Sequence, residues 1–398
     1  MKTRVWLILF SSFLTSTCFF PGCGAGDFQF QSQFDAIFKN LNENFWSEDG
    51  NWKGDMMGDA SSFAPPVLYD LGCERHDHSL IEKAQKTTEW ELQSIALMFK
   101  SILGGGLDLD SSGSDLLINT LFGGPALVEG YRMTGEDKYL MFAGLGLSGG
   151  SEILLLPPRD LYLVLSREPA WSFTQTFAGL GFSDPVTAVA VLMSAVVGHT
   201  DFELYRISGI EKYKNYGAAL LDSVEENYWN PELGFYGSAP GDLWDWSVGT
   251  MIMTLAMGYR FTGESRYLER ALSLIRITDE KMLDVKRGGY FAEDTSTSSG
   301  KSLSGNNIFI WAFLNMFEAT GDPEYLERAR KGIEFLLSRD MYEAGMIYHH
   351  WIRPDRERDS FHWSGQTSGR ADYYCTGCNF MSLVNIYNYN KLREVRSH

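Results

Sequence analysis

A repeated helical hairpin constrains the fold of this chain more than any other feature of its sequence. The clearest copy runs from Gly305 to Leu337, where two apolar-periodic helices flank the turn Ala319-Thr320-Gly321-Asp322-Pro323. Their apolar residues follow the i, i+3, i+4, i+7 spacing of a half-buried helix. Gly321 is suited to end the first helix in the left-handed conformation, and Asp322-Pro323 to cap and begin the second. The pattern predicts two antiparallel helices joined by a tight turn.

The same hairpin recurs along the chain. The turns beginning at Tyr131 and Tyr259 match the one beginning at Phe317, and the last two begin 58 residues apart. A second marker, a glycine followed closely by aromatic residues, occurs between hairpins at Gly50, Gly234, Gly289 and Gly345, and the last three glycines are spaced by 55 and 56 residues. Such a period indicates one helical hairpin per repeat, and the chain length has room for about six.

The repeats resemble a known family. Tyr-Arg-x-Thr-Gly-x-x-x-Tyr-Leu turns with glycine-aromatic connections are similar to the (α/α)6 toroid of six-hairpin glycosidases and N-acylglucosamine 2-epimerase-like proteins. The segment from Trp244 to Gly263 resembles the unsaturated-glucuronyl hydrolases, and Lys301 to Leu337 the epimerase-like toroids. The resemblance implies an all-α toroid of six helical hairpins in one domain. It does not specify the reaction, since hydrolases, lyases and epimerases share this shape.

The N-terminal segment predicts export. Lys2 and Arg4 precede an apolar run over 5–14, followed by small and polar residues through Gly26, which is typical of a secretory signal and too short for a membrane span. We therefore divide the chain into a signal segment, 1–26, and a toroid domain, 27–398. Cys23 could be the lipid-modified first residue of a lipoprotein, although the residues before it depart from the usual pattern. The expected location is secreted or periplasmic, with membrane contact only through such an anchor.

Composition excludes some partners. The formal net charge of −17 disfavours nucleic acid and anionic membrane surfaces as partners. We find no glycine-rich phosphate loop and no nucleotide-binding fingerprint, so no cofactor is expected.

One acidic and aromatic cluster precedes the helix that begins near Thr250. It contains Asp242, Trp244, Asp245 and Trp246. Glycoside hydrolysis needs a carboxyl group that protonates the leaving oxygen, and aromatic rings bind sugar faces. We favour Asp245 as the acid because the flanking tryptophans could desolvate it and raise its pKa. The alternative is that either aspartate is a helix cap and that the tryptophans are core residues.

A second candidate cluster lies near the C-terminus. It combines imidazoles, acids and aromatic rings that would suit a carbohydrate cleft. Its members are His349, His350, Trp351, Asp359, His362, Trp363, Arg370 and Asp372. Asp359 or Asp372 could be the second catalytic carboxyl, and Arg370 could hold a uronate carboxylate. The alternative is a solvated loop whose charged residues pair with one another.

The cysteines suggest a third site. Cys375 and Cys378 form a C-x-x-C motif, and Cys73 lies close to His76. If the first and last hairpins close the ring, these segments could meet as a tetrahedral zinc site. A disulfide or free thiols are the favoured alternative in an exported chain.

These observations lead to one main hypothesis: an exported enzyme that hydrolyses glycosidic bonds of an oligo- or polysaccharide by carboxylate acid/base catalysis. The alternatives are a non-catalytic glycan-binding protein on the same toroid, or a zinc-containing toroid enzyme of another class. Lyase and epimerase activities also remain open.

Overall fold

Helices dominate the computed structural model of this chain, which describes eight stretches separated by gaps. The described residues are 28–50, 52–53, 59–104, 124–166, 184–294, 298, 300–352 and 375–397, with side chains omitted at 59–62, 94–95, 97–104 and 397. The predicted signal segment, Cys23, Asp359, His362, Trp363, Arg370 and Asp372 lie outside the described residues.

Paired helices follow one another along the chain and form an (α/α)6 toroid, as predicted. The helices are α1 (Gln31–Asn44), α2 (Asp59–Arg75), α3 (His78–Gly104), α4 (residues 124–134), α5 (Asp137–Leu154), α6 (Pro158–Leu165), α7 (Pro185–Ser208), α8 (Glu211–Tyr228), α9 (Asp245–Thr262), α10 (Ser265–Lys281), α11 (Leu303–Thr320), α12 (Pro323–Leu336) and α13 (Thr376–Ser397).

Short antiparallel strand pairs lie in the connections between hairpins. β1 (Trp229–Asn230) pairs with β2 (Phe235–Tyr236), β3 (Gly300–Ser302) with β6 (His350–Ile352), and β4 (Tyr342–Glu343) with β5 (Met346–Ile347). A 3-10 turn over Pro240–Asp242 precedes α9.

The inner ring contains α2, α4, α7, α9, α11 and α13. In α7, α9 and α11 almost every side chain of the middle turns is buried, whereas the outer helices α10 and α12 bury only one face. Although α7 is apolar and long enough to cross a bilayer, 78% of its apolar window is buried inside the protein. Inner helices lie between two neighbours and an outer helix, which explains why they are apolar all round.

The turns after the inner helices form as the sequence predicted. Gly135, Gly263 and Gly321 have φ values of 67°, 76° and 71°, and each donates its N–H to the aromatic residue that opens its turn. Gly209 does the same with Tyr205, in a copy that the sequence analysis missed because Ser208 replaces the usual threonine. A glycine after the last helical residue tolerates this left-handed conformation without steric cost.

Ion pairs close the ring where the inner helices end. Arg132 of α4 binds Asp70 of α2 at 3.2 Å, and Lys391 of α13 binds the same carboxylate at 3.0 Å. Arg260 of α9 binds Glu318 of α11 at 3.2 Å. Because Asp70 joins the first hairpin to the last helix, the toroid is continuous across its ends.

Three boundaries differ from the sequence analysis. Helix α9 begins at Asp245 and not near Thr250. Pro65 and Pro66 predict an irregular loop over 59–78. Helix α2 occupies most of this segment instead, because Ala64, Val67, Leu68 and Leu71 form one buried helical face. The serines and glycines over 296–305 predict a loop, yet β3 and the start of α11 lie within this segment.

Buried asparagines bind the first turns of α11 and α13 to the connections that precede these helices. Asn306, its fourth residue, accepts the N–H of Tyr290 at 2.7 Å and donates to the carbonyl of the same residue at 2.9 Å. Asn379, the fourth residue of α13, makes the same pair of bonds to Ile347. Each asparagine thereby fixes the glycine-aromatic connection that precedes its own helix.

Candidate active site

The loop that precedes α9 is held by Asp242. One oxygen of this carboxylate accepts hydrogen bonds from the Ser238 N–H and hydroxyl, both at 2.8 Å, and from the Ala239 N–H at 2.9 Å. The side chain is 4% exposed. These contacts match the structural alternative for Asp242, a carboxylate that closes a turn. An open groove of about 440 Å³ lies beside this loop, lined by Asn227, Trp229 and Ser238 among others, and not at Asp245.

Asp245 is the first residue of α9, and its side chain is completely buried. Its Oδ2 accepts a hydrogen bond from Ser302 Oγ at 2.7 Å, and its Oδ1 accepts one from the Trp246 N–H at 2.8 Å. Its own N–H donates to the Ala292 carbonyl at 2.9 Å. The described residues cover its side chain.

Burial controls the charge of Asp245. Desolvation raises the pKa of this carboxyl from 3.8 to about 7, although the hydrogen bonds from Ser302 and Trp246 oppose the shift. The negative charge of Glu293 raises the pKa further. A carboxyl with a pKa near neutrality can be protonated before the reaction and can then donate its proton, as a general acid must. Asp245 is therefore chemically suited to acid catalysis, although it is covered.

The two predicted tryptophans lie beside Asp245. Trp244 and Trp246 stack with ring centroids 5.6 Å apart and an interplanar angle of 17°. Trp244 is buried, whereas Trp246 is half-buried and donates its indole N–H to Ser304 Oγ at 2.9 Å. The stacked pair therefore packs at the start of α9, where Asp245 is the first residue.

Two residues of the site escaped the sequence analysis. Ser302 holds Asp245 and also caps α11 by accepting the Gly305 N–H at 2.9 Å. Glu293 follows Ala292, whose carbonyl accepts the Asp245 N–H, and this half-buried acid is a second carboxyl near the first. The only available signal was the position of Glu293 just after a glycine-aromatic marker.

The second predicted cluster is brought to this site in part. Strand β6 pairs with β3 so that His350 lies opposite Ser302, and the His349 carbonyl accepts the Leu303 N–H at 2.8 Å. The Nδ1 atoms of His349 and His350 are 3.0 Å apart, and burial lowers the pKa of His349 to about 4. Trp351 is buried, with its ring 5.0 Å from Lys301 Nζ, so it contributes to the core.

The cysteines pair locally. Cys375 and Cys378 form a disulfide whose Cα atoms are 5.2 Å apart, at the start of α13. Cys73 and His76 do not join them, although α2 and α13 are in contact as expected. Glu74, the neighbour of Cys73, binds Tyr387 of α13. Tyr387 and Cys378 are nine positions apart on this helix, or about 13 Å along its axis, so Cys73 lies far from the disulfide.

Among the described residues, a ring nitrogen of His349 and the two sulfur atoms form a group whose atoms all lie within 4.8 Å of one another. The histidine thus takes the place that the sequence analysis gave to Cys73 or His76.

Comparisons with known proteins agree on the fold. No protein-family model matches the chain, and no curated protein matches it in sequence. Solved structures do match. An α-mannanase of glycoside hydrolase family 76 from Bacteroides thetaiotaomicron superposes with a TM-score of 0.58 at 12% identity, covering 94% of this chain and 98% of the mannanase.

Two further structures belong to other enzyme classes. Cellobiose 2-epimerase from Bacillus thermoamylovorans gives a TM-score of 0.59 at 14% identity, covering 90% of this chain and 98% of the epimerase. Unsaturated glucuronyl hydrolase from Streptococcus agalactiae gives 0.56 at 13% identity, covering 90% of each chain. Similarity at this level of identity establishes the fold and leaves the reaction open. The chain therefore has the (α/α)6 toroid fold of the six-hairpin glycosidases and N-acylglucosamine 2-epimerase-like proteins.

Proposed function

We propose that this protein hydrolyses glycosidic bonds of an oligo- or polysaccharide, with Asp245 as the proton donor. The observation that carries the proposal is a buried carboxyl at the start of an inner helix whose pKa is raised to about 7. Enzymes that act on carbohydrates, including a mannanase and a glucuronyl hydrolase, share the fold. Protonation of a leaving oxygen requires a carboxyl in this state.

Glu293 is our choice for the second carboxyl. Its charge acts on Asp245, and the two residues are linked through the bond from the Asp245 N–H to the Ala292 carbonyl. Asp242 is less suitable because three donors already occupy one of its oxygens. Asp359 and Asp372 remain predictions, since they lie outside the described residues. A nearby carboxylate could activate water or attack the anomeric carbon once Asp245 has released its proton.

Substrate access requires a local movement, because Asp245 is covered. Trp246 is the candidate for displacement: it is half-buried and its ring is held by one hydrogen bond to Ser304 and by stacking on Trp244. A sugar ring that replaced Trp246 in this stack would lie at the start of α9, the helix whose first residue is Asp245. Displacement of a covering side chain by substrate is a common gating step in enzymes.

The test is hydrolysis of defined sugars by the parent and by matched variants. Suitable probes are α-1,6-mannotriose and an unsaturated glucuronyl-N-acetylgalactosamine sulfate, the ligands of two structural neighbours. On a probe that the parent cleaves, Asp245→Asn should lower kcat by about 10²–10⁴-fold, since proton transfer is lost while the shape is kept. Asp242→Asn is the control from the same loop. Parent-like turnover by folded Asp245→Asn would refute the assignment.

Complete coverage of Asp245 favours one alternative, a toroid that binds glycans without cleaving them. Calorimetric binding of these probes without product, unchanged in Asp245→Asn, would support it over hydrolysis. No binding and no cleavage of any glycan in a broad array would remove both functions.

We also propose that the protein is exported. The basic and apolar pattern over 1–26 supports this proposal. Mass spectrometry of the mature N-terminus in cell fractions would test it: cleavage near residue 26 indicates a soluble exported form, a lipid on Cys23 an anchored one, and an intact cytoplasmic chain contradicts export.

A further inference from the structure

We propose that the reduced protein binds Zn²⁺ through Cys375, Cys378 and one ring nitrogen of His349. The disulfide form is then the metal-free, oxidised state of the same site. This inference is independent of the proposed hydrolysis.

The ligand set suits zinc. Two thiolates and an imidazole are donors that zinc prefers over hard cations such as Mg²⁺ and Ca²⁺, and a C-x-x-C pair is a common zinc-binding spacing. Tetrahedral coordination at ordinary Zn–S and Zn–N bond lengths separates sulfur and nitrogen by roughly 3.5 Å. The His349 ring nitrogen already lies within 4.8 Å of both sulfurs. Once the disulfide is reduced, the two sulfurs would move apart to roughly 3.8 Å and the nitrogen would approach them by about an ångström, which completes the geometry.

The backbone around the two cysteines is held in place. Asn379 Nδ2 donates to the Cys375 carbonyl at 2.9 Å, and Asn307 Nδ2 donates to the Cys378 carbonyl at 2.9 Å. Both sulfur-bearing residues are buried, with exposures of 3% and 4%. Fixed and desolvated ligands lower the cost of ordering a metal site.

The start of α13 also favours thiolate. The Cys378 N–H donates to Cys375 Sγ at 3.1 Å, in the first turn of a 22-residue helix. Helix N-termini stabilise negative charge through their free N–H groups and dipole, and thiolate is the form that binds metal. His349 is positioned from another element, because its carbonyl accepts the Leu303 N–H at the start of α11. Three protein ligands leave the fourth zinc position for water.

Conversion of the disulfide to the zinc-binding dithiol requires an external reductant. A water-soluble phosphine reduces the disulfide by two electrons: the S–S bond breaks, water supplies two protons to the sulfurs, and its oxygen forms the phosphine oxide. When Zn²⁺ binds, both thiols release their protons to solvent and two Zn–S bonds form. A small-molecule disulfide would reverse the reaction: the two thiolates give two electrons to it, the protein S–S bond forms, the reagent leaves as two thiolates, and Zn²⁺ is released.

Cobalt is the spectroscopic probe for the test. The full-length chain, reduced with phosphine and freed of metal, should bind one Co²⁺ with a thiolate-to-cobalt charge-transfer absorption, and Zn²⁺ should displace it. The oxidised chain should show no such band. A variant with Cys18, Cys23 and Cys73 changed to serine is the matched control and should keep the band, because only Cys375 and Cys378 remain.

His349→Gln should weaken cobalt affinity at least tenfold, since it removes one of three ligands. Affinity equal to the parent, or a reduced parent without the band, would overturn the proposal. If a variant does not fold, the parent alone decides: Zn²⁺ should protect Cys375 and Cys378, but not Cys73, from alkylation measured by mass spectrometry. Equal alkylation with and without Zn²⁺ would also overturn it.

Discussion

Replacing Asp245 with asparagine should remove a loss of stability that the parent protein undergoes as the pH rises from 4 to 8. In the folded protein the pKa of this carboxyl is about 7, compared with 3.8 for an ordinary aspartate. The folded state therefore holds a proton between pH 4 and 7 that the unfolded state has released. Because the folded state binds more protons there, the free energy of unfolding falls as pH rises through this range, and the loss is complete above pH 7.

The magnitude follows from the pKa difference. A difference of about 3, at about 1.4 kcal/mol for each pKa unit, gives a loss of about 4 kcal/mol from pH 4 to pH 8. Asparagine has no charge to desolvate and avoids this loss. It keeps an oxygen for the Trp246 N–H and can donate to Ser302 Oγ, so the exchange costs about 1 kcal/mol at every pH. Asp245→Asn should therefore be less stable than the parent by about 1 kcal/mol at pH 4 and more stable by about 3 kcal/mol at pH 8.

Urea unfolding from pH 4 to pH 8 measures this difference. Other buried acids, such as Asp201, whose pKa burial also raises, contribute equally to both proteins and cancel. Asp242→Asn serves as the control because it removes a carboxyl from the same loop and leaves Asp245 in place. Parallel stability curves for the parent and Asp245→Asn would refute the argument, since they would mean that burial does not raise the pKa of this group.

Two further predictions concern buried polar contacts, and both are measured by urea unfolding. Lys301, fully buried, binds Asp284 at 2.7 Å, so Lys301→Met should cost about 3–5 kcal/mol by leaving that carboxylate without its cation. Adding Asp284→Asn should restore part of the loss, and no recovery would contradict the pairing. Asn306→Ala should cost about 1–3 kcal/mol and speed hydrogen exchange at the Tyr290 N–H, because both bonds to the Tyr290 backbone are lost. Unchanged exchange there would contradict the proposed anchoring.

Local signals in the sequence predicted the repeats well. A turn such as Tyr259 to Gly263 is specified by residues within one stretch of chain: a glycine that ends one helix, and the residues that begin the next. Helices were missed where a local signal was misleading. Pro65 and Pro66 indicated a loop, but α2 includes both because its buried face packs against α13 and α3. Tertiary packing can outweigh propensity at such positions.

Only those residues of the candidate site that lie in one hairpin could be predicted from the sequence. The sequence placed Asp245 between two tryptophans shortly before a helix, and the structure begins that helix at Asp245 itself. Ser302 and Glu293 come from the next repeat, and their contact with Asp245 depends on how two neighbouring hairpins align. A period of 55 to 58 residues predicts that the hairpins stack, but it does not specify which side chains of neighbouring hairpins are in contact. The zinc site expected from the sequence was wrong in its ligands for the same reason. Whether Cys73 meets Cys375 depends on how two neighbouring inner helices align, and the sequence does not show this.

Gly305 marks a contact between two neighbouring hairpins that the sequence analysis did not recognise. The sequence analysis took it only as the first residue of the clearest hairpin. It is the third residue of α11, and a Cβ at this position would overlap the Asp245 carboxylate. Only glycine lets the carboxyl approach the first turn of the neighbouring helix so closely. The same close approach removes water from Asp245 and thereby raises its pKa. The glycine of one repeat thus helps to set the acidity of the aspartate in the repeat before it, and the candidate acid belongs to the interface between two hairpins.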